Sequence, residues 1–488
     1  MGNKFIDGIK NETNETLTEN GAIAYKTTDS ALLDLFGVIG ALRTRPSQDI
    51  INKFTKAFAE DELLAMKMLF YARNIRGGLG ERRTFQVLVK YLANNHTEIM
   101  RKNIGIIPLF GRWDDVYALF DTPLEKDAIA LIKKQLEEDL SSENPSLMAK
   151  WLKSENTSSR ESVRLAVKTY NGLGMTPRTY RKTLSQLRKK IDIVETKITK
   201  GDYESIDYSK LPSNAGLKYR SAFYEHDEER YRKFLESLSK GEVKVNSSTL
   251  FPYQIVGKVL NGDSNRALLN GMWENLPNYI KNDDENSIAV VDVSGSMYGT
   301  PMEMAISLGL YLAEKNHGAF ANHFITFSDN PELVEVKGLD FYDKVRNIKR
   351  ANWGMNTDIN ATFDLILNTA IKHKVPQEDI PSRIFVISDM EFDEATSSHY
   401  WRNSVEKPNF QIIKEKFEKA GYTMPRLVFW NVNSRNDNIP MTMNDDGVQL
   451  VSGATPYLFE LLLENKFVGA YELMLQELNK EIYDCIRI

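Results

Sequence analysis

At 488 residues the chain is too long for one ordinary core, and 42 % hydrophobic with 26 % charged residues is the balance of a globular protein of two or three domains. A net charge of −5 excludes a globally basic nucleic-acid binder while leaving room for a local basic patch. The one cysteine, Cys485, excludes an internal disulfide and a Cys-based metal cluster, and fits a reducing, cytoplasmic setting.

Residues 1–27 are polar, rich in Asn, Thr and Glu, and are expected to form a loosely ordered tail. No basic-then-apolar leader opens the chain, and no apolar run reaches the ~18 residues of a membrane span, so no membrane association is expected. From about Ser30 to Met272 helix follows helix. Ile50, Phe54 and Phe58 share a face, as do Leu64, Met68 and Tyr71, then Phe85, Leu88 and Leu92, then Ile129, Ile132 and Leu136. Breaks at Gly77-Gly78, Pro108 and Pro123 separate them, which predicts stacked helical hairpins of the solenoid kind.

Three stretches of this half carry charge in a pattern. Residues 72–83 set Arg73, Arg76, Arg82 and Arg83 around Gly77, Gly78 and Gly80. Residues 108–115 run Pro-Leu-Phe-Gly-Arg-Trp-Asp-Asp. Arg82 paired with Asp114 or Asp115 would hold neighbouring helices together, and two acids beside Arg112 suit packing better than phosphate binding. Arg73 and Arg76 fit structure and ligand contact equally well. The third stretch holds Arg178, Tyr180, Arg181 and Lys182, then Arg188 and Lys189, with Lys218 and Arg220 beyond. Cations at near-helical spacing with an interleaved aromatic suit an RNA surface; a solvated helix face gives the same pattern.

Residues 281–286 form a polar, turn-prone linker. After it strands are predicted at 287–293, 323–327, 383–388, 427–432 and 448–452, with an edge strand at 332–336. Helices alternate with them at 302–315, 358–373, 411–420 and 456–463, so the sheet is mostly parallel and covered on both faces. A last helix, 470–482, is expected against the helical half. The first strand is apolar throughout and ends in Asp292, followed by Ser294, Gly295 and Ser296 on a strand-to-helix turn. That turn lies at the carboxyl edge of the sheet, where open α/β folds bind ligands, and its oxygens are hard donors suited to Mg²⁺. Capping of the next helix is the plainer use of such a turn.

The Asp-x-Ser-x-Ser run resembles the metal-ion-dependent adhesion site of von Willebrand factor A domains. The resemblance extends to a Thr before a helix, matched by Thr357, and to an Asp closing a hydrophobic strand, matched by Asp389. It implies a divalent cation, Mg²⁺ or another, held by Asp292, Ser294, Ser296, Thr357 and Asp389, with an open position for an acidic side chain of a protein ligand.

The Gly-x-Gly-Glu-Arg and Gly-Arg-Trp-Asp-Asp turns resemble those of the TROVE module of the Ro autoantigen family. That family has the same order of parts, and an uncharacterised family of phage, bacteria and plants is similar in layout. The resemblance implies an α + α/β chain: a HEAT-like helical-repeat ring or arc, then a doubly wound, Rossmann-like von Willebrand A domain. The expected boundaries are a tail at 1–27, a helical domain at 28–280 and an A domain at 284–488. The expected function is binding of non-coding or misfolded RNA by the ring and of a protein by the metal. A scaffold that uses the metal without RNA, phage or cellular, is the alternative. A metal-dependent nuclease is the third reading, and no catalytic residue is assigned: Ser294 stands where phosphoaspartate enzymes carry a second acid.

Overall fold

The computed structural model describes residues 14–280, 286–327, 330–349, 358–393, 409–465 and 468–488. Linker residues 281–285 and Thr357 fall outside them. Two compact units share the chain. One comprises residues up to Pro46, Thr55–Asp61 and Leu250–Asn479; the other comprises Ser47–Phe54, Glu62–Thr249 and Lys480–Ile488.

The first unit contains a short antiparallel hairpin, β1 (Glu15–Leu17) with β2 (Ile23–Tyr25), and a six-stranded sheet. The sheet strands are β3 (Ser287–Asp292), β4 (His323–Phe327), β5 (Leu333–Glu335), β6 (Arg383–Ser388), β7 (Arg426–Asn431) and β8 (Val448–Ser452), in the order β5-β4-β3-β6-β7-β8. All pairs are parallel except β4 with β5, whose second strand is the edge strand anticipated from sequence. Counting sheet strands alone, this is 3-2-1-4-5-6, the order of a doubly wound sheet, whose direction reverses between β3 and β6.

β3 and β6 are buried along their whole length, which is why their residues lack a polar alternation. Helix Thr300–Lys315 lies close enough to β3 that a side chain on Gly309 would meet Val291 Cγ2 at 2.4 Å. Phe385 of β6 and Trp430 of β7 both pack on Phe459 of helix Tyr457–Glu464, which in turn stacks on Tyr311. Helices Ile359–His373 and Asn409–Lys419 pack on each other through Phe363 and Phe417.

The expected boundaries shift. Residues 14–27 are not a free tail. Thr18 Oγ1 donates to the Phe392 carbonyl at 2.6 Å, and the Glu19 amide donates to Glu391 Oε2 at 2.8 Å. Residues 28–46 and 250–280, assigned above to the helical domain, belong to the sheet unit. The Gly40 amide donates to Ser452 Oγ, and a side chain on Gly40 would strike the Ser452 carbonyl at 2.5 Å, so that glycine is a docking point. The last helix stops at Leu478 within the sheet unit, and only Lys480–Ile488 join the helical one.

The second unit is helical among its described residues. Its main helices are Glu62–Arg73, Arg82–Asn95, Glu125–Ser141, Arg160–Gly172, Pro177–Lys190, Ser213–His226 and Glu228–Ser239. Neighbouring helices meet through apolar side chains: Phe70 of Glu62–Arg73 packs on Phe85 of Arg82–Asn95 and on Phe110. Tyr483 closes this core, stacked on Phe110 with its hydroxyl donating to the Gly77 carbonyl. No helix among the described residues is long and apolar enough to cross a membrane.

Candidate functional site

The carboxyl ends of β3 and β6 meet at the point where the sheet reverses. Asp292 closes β3, fully buried; its Oδ2 accepts from Ser388 Oγ at 2.6 Å and its Oδ1 from the Ser294 amide at 2.9 Å. The chain then turns through a short 3-10 helix, Gly295–Met297, which brings Ser294 Oγ and Ser296 Oγ within 3.0 Å. Asp389 follows β6 and is 1 % exposed. Its Oδ1 accepts from the Glu391 amide at 3.2 Å, while its buried Oδ2 has no hydrogen-bond partner among the described residues. Met390 between them adopts φ +68°, a left-handed conformation rare for such a side chain and of the kind that collects at binding sites.

The electrostatics follow from this geometry. Burial raises the Asp389 carboxyl to about 7, the Asp292 charge adds to the shift, and the Ser296 hydroxyl and Glu391 amide offset part of it. Burial likewise raises Asp292 against the hydroxyl and amide that it accepts from. Among the described residues a cation, Arg435, faces this pair, its Nη1 3.8 Å from Asp389 Oδ2. Four of the five residues expected as metal ligands, Asp292, Ser294, Ser296 and Asp389, are therefore one cluster. No group of three or more His, Cys, Asp or Glu among the described residues is arranged for a metal, so any ion here relies on hydroxyls beside two carboxylates. An unpartnered buried carboxylate oxygen, a second carboxylate and a hydroxyl pair are a donor set of the hard type that Mg²⁺ takes.

Three residues of this neighbourhood went unread in the sequence. Glu391, buried, accepts from Asn436 Nδ2 and Asn438 Nδ2 at 2.9 Å each besides the Glu19 amide. Burial raises its carboxyl. Arg435 pairs with Glu19 of the β1–β2 turn. The acid two places after Asp389 was a visible signal for Glu391; nothing local marked Glu19 or Arg435.

The helical unit corrects several expectations. Arg73 is buried, and its Nε and Nη2 each reach Asp115 Oδ2 at 2.8 Å, so it is a structural cation and not an RNA contact. Asp115 also accepts from Gln86 Nε2 and the Arg112 amide, while Asp114 accepts from Arg82 and from Arg112 Nε and Nη2. A side chain on Gly111 would meet Asp115 Oδ2 at 2.5 Å, and one on Gly78 the Tyr71 carbonyl at 2.3 Å. Both glycine-arginine motifs thus build one ion network around the buried Asp114 and Asp115. Arg76 is exposed.

Tyr180 is 1 % exposed with its hydroxyl donating to the Lys153 carbonyl, so no base can stack on it. Arg188 is also structural: it donates to the carbonyls of Ala149 and Leu152 and to Ser154 Oγ, and burial lowers its pKa. What remains is the outer face of helix Pro177–Lys190. Arg178, Arg181, Lys182 and Lys189 are exposed there, and the helix contains no acid. Further on, Lys218 is exposed beside the Tyr219 ring, while Arg220 is half-buried and turned back onto the Leu217 carbonyl.

Residues 286–483 match the family described as Domain of unknown function (DUF7788). Residues 18–171 and 166–294 match that described as Domain of unknown function (DUF2828). The "Uncharacterized protein L728" of Acanthamoeba polyphaga mimivirus is 31 % identical over 519 residues, covering 97 % of this chain and 89 % of that one. The crystal structure of the Deinococcus radiodurans RO (RSR) protein is matched with a TM-score of 0.30 and 12 % identity over 90 % of this chain and 93 % of that one. The DUF2828 match takes in more than half of the chain, to which the viral relative is similar nearly end to end, and the protein belongs to the DUF2828 family of unknown function.

Proposed function

We propose that this is a binding protein with two ligands: a divalent cation in the sheet unit that captures an acidic group of a protein partner, and structured RNA on the helical unit. The observation that carries the proposal is Asp389 Oδ2, buried beside Asp292 at the reversal point of the sheet and without a hydrogen-bond partner among the described residues. A buried carboxylate oxygen without a donor is costly unless a cation answers it. Asp292, Ser294, Ser296 and Asp389 would hold the ion, with Thr357 as the remaining ligand that the family resemblance implies. Two carboxylates leave a divalent ion able to attract an outside carboxylate, which supplies binding rather than turnover. Tyr298, 87 % exposed and two residues past Ser296, offers that partner an aromatic contact. In this reading the sheet unit is a von Willebrand A-type domain and the helical unit a HEAT-like arc, working in the cytoplasm.

The RNA half rests on the acid-free helix. Its exposed cations suit a phosphate backbone, and with Tyr180 buried the contact is to backbone rather than to stacked bases. Reversing Arg178, Arg181, Lys182 and Lys189 to Glu should weaken binding of a structured RNA about ten- to a hundredfold and flatten its salt dependence by about one unit of slope per lost contact. Unchanged affinity would leave the second reading, a metal-dependent protein scaffold without RNA. That reading is favoured by the absorption of Arg73, Tyr180 and Arg188 into packing. For the cation, calorimetric titration with MgCl₂ should show binding that Asp389→Asn abolishes; equal binding by both proteins rejects the site.

A further inference from the structure

The cluster at the sheet reversal carries a cation of its own. Arg435 lies in the loop after β7, and that loop is fixed on both sides of it. The Ser434 amide donates to the Ala41 carbonyl, the Arg435 carbonyl accepts from Arg45, and Asn436 and Asn438 hold Glu391. The guanidinium is thereby set between two acids. Nη1 faces the orphan Oδ2 of Asp389 at 3.8 Å, beyond hydrogen-bond length, and Nη2 pairs with Glu19. Glu19 is in turn part of the β1–β2 turn, whose Thr18 hydroxyl, Glu19 amide and Asn20 side chain are tied to residues 391–392, immediately after Asp389.

We propose that Arg435 is the resident counter-charge of the cation site, and that Glu19 sets how strongly it competes with an incoming divalent ion. The inference rests on the metal reading above and concerns affinity rather than the ligand set. The physics is a competition for one under-compensated pair. Asp292 and Asp389 are both buried, so their repulsion is poorly screened, and a nearby guanidinium relieves part of it. A divalent ion relieves more but arrives against the repulsion of Arg435. Glu19, half-exposed, draws the guanidinium away from Asp389 and lowers that repulsion. Arg435 is accordingly a positioning residue. It also ties the hairpin, which the sequence presents as a loose tail, to the state of the site.

Opposite shifts from the two partners are the signature. In calorimetric titrations with MgCl₂ on the full chain, Arg435→Gln should tighten binding about tenfold and Glu19→Gln should weaken it several-fold. The double variant should behave like Arg435→Gln, because Glu19 acts only through the arginine. Arg435→Lys, which keeps the charge, should stay near wild type. Thermal unfolding in EDTA gives a second reading: Arg435→Gln should lower the melting temperature without metal and gain more from added Mg²⁺ than wild type does. Unchanged or weaker Mg²⁺ binding by a folded Arg435→Gln, or a Glu19→Gln effect that persists in the double variant, overturns the assignment while leaving the metal site standing. Wild type that takes up no Mg²⁺ overturns both. A role confined to holding the loop would make both single variants weaker, which also rejects it.

Discussion

Asp114 and Asp115 in the helical unit, and Asp292 and Asp389 in the sheet unit, are all acids buried almost completely. The first pair is met by Arg73, Arg82 and Arg112, with Gln86 and a backbone amide filling further lone pairs. Among the described residues the second pair is met by hydroxyls and amides, and by one guanidinium at 3.8 Å that leaves an oxygen without a donor. The difference is one of balance rather than residue type. A buried acid whose charge and lone pairs are answered belongs to the framework; one left short is where a ligand has something to supply.

That contrast is strongest under mutation. Asp115→Ala would strand Arg73 in the interior and should cost about 3–5 kcal/mol in chemical denaturation. A loss below about 1 kcal/mol would show that the network is not what holds these helices. Asp389→Asn, by contrast, removes a charge that the fold compensates only in part, and metal-free protein should gain stability from it.

The pH dependence has a definite sign. Asp389 titrates near 3.8 when unfolded and at about 7 when folded, so the fold favours its protonated form. Its contribution is therefore intact below pH ~4, declines as the pH rises, and is lost above ~7. In EDTA the melting temperature should carry this decline between pH 4 and 7, a matter of several degrees at about 2–4 °C per kcal/mol for a domain of this size. Mg²⁺ should restore it at pH 7.5, and Asp389→Asn should lack that part of the slope. A wild-type profile identical to that of the variant would remove the under-compensated pair from the account.

The smallest effect sharpens the same contrast at Tyr180. Tyr180→Phe deletes one hydrogen bond to the Lys153 carbonyl and should cost about 1 kcal/mol while leaving RNA affinity as it is. A drop in affinity at unchanged stability would return the tyrosine to the RNA surface.

Much of the sheet unit was legible because its signals are local. β3 and β6 announce themselves as unbroken apolar runs, and Asp292 and Asp389 stand at their ends. The helical faces were legible for the same reason. Tyr180 and Arg188 were misjudged because a basic run shows spacing along a helix but not which side of that helix another segment covers. Here residues 149–154 cover it.

Local periodicity and the chemistry of short motifs determined the strands, the helices and the candidate donors, since both act over a few residues and need no knowledge of distant partners. The placement of residues 14–46 on the sheet, the enclosure of Arg73 by Asp115 and the setting of Arg435 between Glu19 and Asp389 were decided by the tertiary structure alone. Those pairings join residues up to several hundred positions apart. Whether a charge is answered depends on neighbours that only the folded chain supplies.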